Sequence, residues 1–250
     1  MMRYLLILLL FANQICNAQQ PPHRFCENAK CGYIAANEKL LLPPVYDAGS
    51  DFKNGLAIVM KKNKRAFINE QGVFITEFDF DDAGLPNEGL CKVMKNGKYG
   101  FIDESGKIII DFMYGFADDF NNGLARVKIN NLYGFINTKG ELVITAIYKD
   151  ANNFNEDLAS VYDGKFWGFI NTAQQTIIPF MYDRAYIFNK SVCAVQQTNK
   201  QFFIDRNGTF VKEQTKAKDE IEWEERTKEY FDKLNNQKDI KQKKGARYEK

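Results

Sequence analysis

The chain has 250 residues, 34 of them basic and 32 acidic, and 14% of its side chains are aromatic, mostly Phe and Tyr. That balance gives no overall field for nucleic acid or an anionic membrane, and the Phe- and Tyr-rich composition suits strands better than long helices. The single histidine, His23, removes most catalytic triads and nearly all histidine-based metal sites.

In chain order, residues 1–18 read as a secretory signal. Arg3 precedes an apolar run from Tyr4 to Ala12, and Cys16-Asn17-Ala18 is a small-x-small cleavage pattern. The run is shorter than the ~20 residues a spanning helix needs, so no membrane span is expected. Asn13-Gln14-Ile15 ahead of Cys16 do not suit a lipoprotein signal. The expectation is cleavage near Ala18 and export to the periplasm or medium without a lipid anchor. The 34 basic residues less Arg3 then leave 33 against 32 acidic ones.

A lead-in segment, 19–30, carries Cys26, five residues before Cys31. In a chain bound for an oxidising space this pair predicts a disulfide. A metal pair is the rival reading, but two thiols with only His23 nearby make a poor zinc set. Cys91 and Cys193 share a sequence column with Ala57, Ala125 and Ala159, which predicts inert core thiols.

From Cys31 onward the chain repeats itself without insertions. Gly32, Ala66, Gly100, Gly134, Gly168 and Phe202 follow one another at a constant stride of 34. The next column reads Tyr33, Phe67, Phe101, Phe135, Phe169, Phe203, and the one after it is always isoleucine: Ile34, Ile68, Ile102, Ile136, Ile170, Ile204. Tyr46, Phe80, Tyr114, Tyr148 and Tyr182 keep the same phase. Repetition at this period means stacked supersecondary units.

Each unit reads as three short strands. Tyr99 to Asp103 is apolar on both faces, as a strand covered on two sides must be. An Asp/Asn-x-x-Gly turn follows at Asn69, Asp103, Asn137 and Asp205, where side chain and glycine together close the bend. The equivalent turns at Ala35 and Asn171 lack the glycine and are expected to be looser. Lys107 to Ile110 forms the second strand. A longer link then leads to Leu124 to Lys128, where Ala125 and Val127 alternate with Arg126 and Lys128. The period is also that of helical tetratricopeptide arrays, but helix pairs would not tolerate a glycine turn and a β-branched core in every repeat.

At these residues the chain resembles the WG-repeat family, whose signature is a lysine, an aromatic and a glycine, then an aromatic-isoleucine pair and an Asp/Asn-x-x-Gly turn. The literal Trp167-Gly168 occurs once, with Tyr99-Gly100 and Tyr133-Gly134 elsewhere. The resemblance implies a bacterial β-repeat module, frequently exported, and supplies no catalytic residues. The expected fold is all-β: tandem antiparallel three-stranded repeats over 31–212, five complete and one partial, in an open solenoid-like array. A five- or six-bladed propeller-like ring is the alternative. Residues 213–250 drop the repeat and fill with charge, which reads as a charged helical or disordered tail.

No catalytic constellation, cofactor loop or metal set is legible in the sequence. The expected function is a non-catalytic binding or scaffold module for a protein or glycan partner. The alternative is a hydrolase on a propeller-like ring, using the link carboxylates Asp81, Asp82, Asp118 and Asp119.

Overall fold

A computed structural model describes residues 21–213, so the expected leader and residues 214–250 of the expected tail lie outside the described residues. All regular structure among the described residues is β, and no helix there is long and apolar enough to cross a membrane. The strands form six small antiparallel sheets in chain order.

The fourth sheet shows the plan. A two-residue inner strand, Phe116–Ala117, pairs with Leu124–Ile129, which pairs with Leu132–Asn137, which pairs with the outer strand Leu142–Tyr148. The grouping differs from the expected three-strand brick. Two-residue turns such as Asn130-Asn131, both at positive φ, force their flanking strands to pair with each other. The sheet is therefore built around that hairpin, and the break between sheets falls inside the longer link. The link itself supplies the fourth, short strand.

The first sheet lacks an inner strand, but His23–Glu27 fills the slot of Leu124–Ile129. Its register, His23 opposite Ile34, repeats that of Ala125 opposite Ile136. The lead-in segment thus supplies a third-strand copy that the sequence columns do not reveal.

Signature columns sort by face. Phe101 packs forward with Ala117, Phe120, Ala125 and Ile136 of the next sheet, while Ile102 packs backward with Leu56 and Phe67 of the preceding one. Five such clusters join the six sheets in succession, and none among the described residues joins the sixth to the first. The exposure pattern agrees. Ile68, Ile102, Ile136, Ile170 and Ile204 are buried, whereas Ile34, facing back from the first sheet, is only half-buried. Phe203, facing forward from the last, is likewise half-buried. The stack is open.

Side-chain-to-backbone bonds between sheets add to the apolar seams. The Glu88 carboxylate accepts the N–H groups of Asn122 and Gly123 at 2.7 and 2.9 Å, and Glu156 accepts that of Ser191 at 2.8 Å. The turns follow one design: the Oδ1 atoms of Asn69, Asp103, Asn137, Asn171 and Asp205 each accept two backbone N–H groups. The Asn171 turn is not looser than the rest. Gln174 takes the glycine's left-handed place at φ 60°, and its side chain accepts the Thr145 N–H of the preceding sheet.

Candidate functional site

The grooves of the molecule repeat with the sheets. One, of about 310 Å³, is lined by Ala48, Met60 and Arg65. A second, of about 450 Å³, is lined by Phe116, Lys128 and Tyr133, with Lys98 at its side. A third, of about 470 Å³, is lined by Asp150, Tyr162 and Trp167 of the fifth sheet and by Asp183, Arg184 and Tyr186 at the sixth. Ala48, Phe116 and Asp150 are one sequence column; Met60, Lys128 and Tyr162 are a second; Arg65, Tyr133 and Trp167 are a third. The candidate site is therefore a repeated groove at the signature-aromatic column, which in the second and third of these grooves holds an aromatic, Tyr133 or Trp167, and lies at the seam between consecutive sheets.

The local fold explains why that aromatic is available. In Tyr133-Gly134-Phe135-Ile136, the last three residues are buried and Tyr133 is half-buried. Phe135 and Ile136 are committed to the two seams, so the aromatic at the strand's start is the one left at a groove wall. Tyr99 and Trp167 have the same partial burial.

Each groove is furnished differently. In the fourth sheet the Arg126 guanidinium lies between two rings, 5.3 Å from the Phe116 centroid and 5.3 Å from that of Tyr133. It is also ion-paired with Asp118 at 2.8 Å and donates to the Ala151 carbonyl of the next sheet. The Lys128 ammonium stands 4.7 Å from the Tyr133 ring. In the third sheet Lys92 stands 5.8 Å from Tyr99. These are cation–π contacts made within the chain. In the fifth sheet Tyr162 occupies the lysine position instead, its ring 5.5 Å from Trp167 and inclined by 32°.

In the first sheet the equivalent cross-strand pair is Cys26 and Cys31, directly opposed and joined with S–S 2.11 Å. The disulfide stands where the others place an aromatic contact. The remaining thiols, Cys91 and Cys193, are buried, and burial pushes them up to about 12 and about 11. Such thiols hold little thiolate at neutral pH.

The structure does not gather the four link carboxylates into one site; each faces a basic partner. Asp81 accepts from Lys64 at 2.5 Å, and that bond holds its carboxyl below the usual range. Asp82 meets Arg65 at 3.4 Å, Asp118 pairs with Arg126, and Asp119 meets Lys92 at 3.5 Å. No three His, Cys, Asp or Glu side chains come together as a metal set among the described residues.

Of the signature residues, Gly32, Gly100, Gly134 and Gly168 lie buried against outer strands, and the Tyr/Phe and Ile columns fill the seams. Tyr133 and Trp167 of the signature also line grooves. Asp150, Tyr162, Asp183 and Arg184 were not singled out. A signal was present in the columns: Ser160 replaces Lys92 and Arg126, and Tyr162 replaces Lys128, so the fifth unit lacks the cations of the third and fourth.

Five segments of the chain match the model of a family described as WG containing repeat: residues 32–64, 66–99, 99–133, 133–165 and 167–200. The chain belongs to the WG-repeat family. No curated protein matches it in sequence. Among solved structures, it is similar to the crystal structure of a eukaryotic initiation factor, at 13% identity and TM-score 0.51, over 77% of this chain and 62% of that one. It is also similar to Hsv2 of Kluyvelomyces marxianus, at 12% identity and TM-score 0.45, over 79% and 72% of the two chains. Hsv2 of Kluyveromyces lactis gives 13% and 0.43, over 76% and 72%. The chain thus spans less than two thirds of the initiation-factor chain. That likeness concerns fold alone.

Proposed function

We propose that this WG-repeat chain is an exported, non-catalytic binding module that holds a protein or glycan partner along the grooves between its sheets. The observation that carries this reading is the row Tyr99, Tyr133, Trp167: half-buried aromatics at constant stride, each at a seam of a rigid frame. Aromatic and arginine side chains at such positions are the usual anchors of recognition surfaces. The pairing of Asp81, Asp82, Asp118 and Asp119 with basic side chains supports an architectural role for those acids.

The test is retention of a partner from envelope extract, or of a glycan from an array, by the mature chain. Retention should fall when Trp167 or Tyr133 is replaced by alanine in a chain that still melts cooperatively. Undiminished retention in both variants would remove the groove from the account. A hydrolytic activity abolished by replacing the four link aspartates together would replace the reading with an enzymatic one. Export is checked by the mass of the chain recovered from the periplasm or medium, which should begin at Gln19.

A further inference from the structure

The repeat supplies its own control for what one groove accepts. In the fourth sheet a groove of about 450 Å³ remains, but the chain's own cations stand against its aromatic: Arg126 lies between Phe116 and Tyr133, and Lys128 stands over Tyr133. In the third, Lys92 faces Tyr99. The fifth sheet keeps the aromatic, as Trp167, and replaces the cations against it, with the Tyr162 ring on one side at 5.5 Å. Ser160 stands in the column of Lys92 and Arg126; it is buried and bonded to Asn152 and to the Tyr186 carbonyl. Tyr162 stands in the column of Lys128, and Asp150 in that of Phe116. Among the described residues no cation lies over the Trp167 ring, and the groove there has a volume of about 470 Å³.

Charge has changed in the complementary sense. Asp150 and Asp183 line this groove, against a single basic side chain, Arg184. Neither carboxylate has an ion-pair partner among the described residues. Asp150 accepts the Ala151 N–H through Oδ1, and Asp183 accepts the Thr198 N–H through Oδ2. Each keeps a second oxygen for an incoming donor. Tyr186, 48% exposed, supplies another ring beside the same groove.

We infer that the groove between the fifth and sixth sheets binds the cationic head of an arginine or lysine presented by a basic segment of a protein partner. The ligand would take on Trp167 the place that the chain's own cations take on Tyr133 and Tyr99. The indole gives the strongest quadrupole of the three ring types, and a planar guanidinium can stack on it while donating to both carboxylates. This inference rests on the binding-module reading and narrows its partner to a basic peptide.

The test uses the full chain carrying Trp223→Phe, which leaves Trp167 as the only indole of the two. Its emission is followed against acetyl-Arg-Gly-Arg-amide, the same peptide with citrulline for arginine, and N-acetylglucosamine oligomers. The arginine peptide should give a saturable change that weakens with added salt, and the neutral citrulline peptide should give none. Asp150→Asn with Asp183→Asn should weaken binding about tenfold. Tyr162→Lys, which restores an internal ammonium to the aromatic, should abolish the response while leaving the melting temperature near that of the parent. Equal binding of the citrulline peptide, or no response to the arginine peptide, overturns the inference. A glycan response, or partner retention, that survives Tyr162→Lys and the Asn substitutions removes the basic-peptide assignment and leaves the binding-module reading standing. Partner and glycan retention indifferent to Trp167→Ala and Tyr133→Ala removes that reading itself.

Discussion

A Cβ placed on Gly134 would stand 2.6 Å from the carbonyl oxygen of Ile144. The outer strand Leu142–Tyr148 bulges between its pairings with Phe135 and Tyr133, and the bulge brings its backbone against the glycine. The same relation holds between Gly32 and Leu42 at 2.5 Å and between Gly100 and Ile110 at 2.6 Å. Where alanine replaces the glycine, at Ala66, the outer strand is reduced to two isolated bridges, Ile68 with Phe74 and Arg65 with Phe80. Gly134→Ala should therefore cost about 1–3 kcal/mol, as overpacking against backbone does. Chemical denaturation is the measurement. A loss as small as that of an exposed surface substitution would show that the outer strand can step aside.

The unequal burial of matched residues predicts an unequal response to their truncation. Phe135 is buried in a seam, its ring 4.8 Å from that of Phe154, and Phe135→Ala should cost about 3–5 kcal/mol. Phe203, one column copy at the free end, is half-buried, with Lys212 standing 5.2 Å from its ring. Phe203→Ala should cost less than half as much. Equal losses in denaturant melts would mean that the sixth sheet's forward face is covered in solution.

Acid should loosen the turns before the seams. The side-chain bond from Ser105 and the N–H of Lys107 hold Asp103 below the usual carboxylate range, and the N–H groups of Thr209 and Asn207 do the same for Asp205. Because the folded values lie below the unfolded ones, near 3.9, the stability these groups contribute is fully present above about pH 4. It is lost as pH falls through the lowered folded values. Melting temperature should be level from about pH 7 to 5 and fall below about pH 4. Asp103→Asn keeps the acceptor used by Asn69 and Asn137 and should make the acid limb shallower; an unchanged limb would exclude Asp103 from the effect.

Replacing Cys26 and Cys31 together by alanine should cost about 2 kcal/mol, the loop-closure value for so short a ring. The loss should be local, because the bridge ties His23–Glu27 to Lys30–Ile34 within the first sheet. Hydrogen exchange should quicken at Lys30 to Ile34 and stay unchanged at Leu132 to Asn137. Uniform quickening across all six sheets would show that the clip supports the whole stack.

Much of the architecture was legible because each signature column has one physical task. Phe135 and Ile136 are adjacent and both apolar because the strand between two seams must be covered on both faces. Asn137 heads a turn because its Oδ1 can accept the Lys139 and Glu141 N–H groups. Asn96-Gly97 and Asp163-Gly164 read as tight turns into the next unit's first strand, and those strands do pair, but where a sheet begins was not legible in the same way. The columns repeat whichever residue the unit is counted from, and only the pairing of Leu124–Ile129 with Leu132–Asn137 fixes where a sheet begins. The slot filled by His23–Glu27 was hidden because neither His23 nor Phe25 matches the small Ala and Val of its column, and no earlier sheet among the described residues packs against them.

The sequence alone determined the period, the all-β character, the turns and the family, since those depend on residues close together in the chain and recurring at one stride. Tertiary structure decided which seams are buried among the described residues and which aromatic has no cation against it. Ile34 and Phe203 belong to columns that are buried elsewhere, yet both are only half-buried, and no buried cluster among the described residues joins their sheets. Trp167 looks equivalent to Tyr133 in the columns; the difference comes from Ser160, Tyr162 and Asp150, which act on it across strands and seams rather than along the chain.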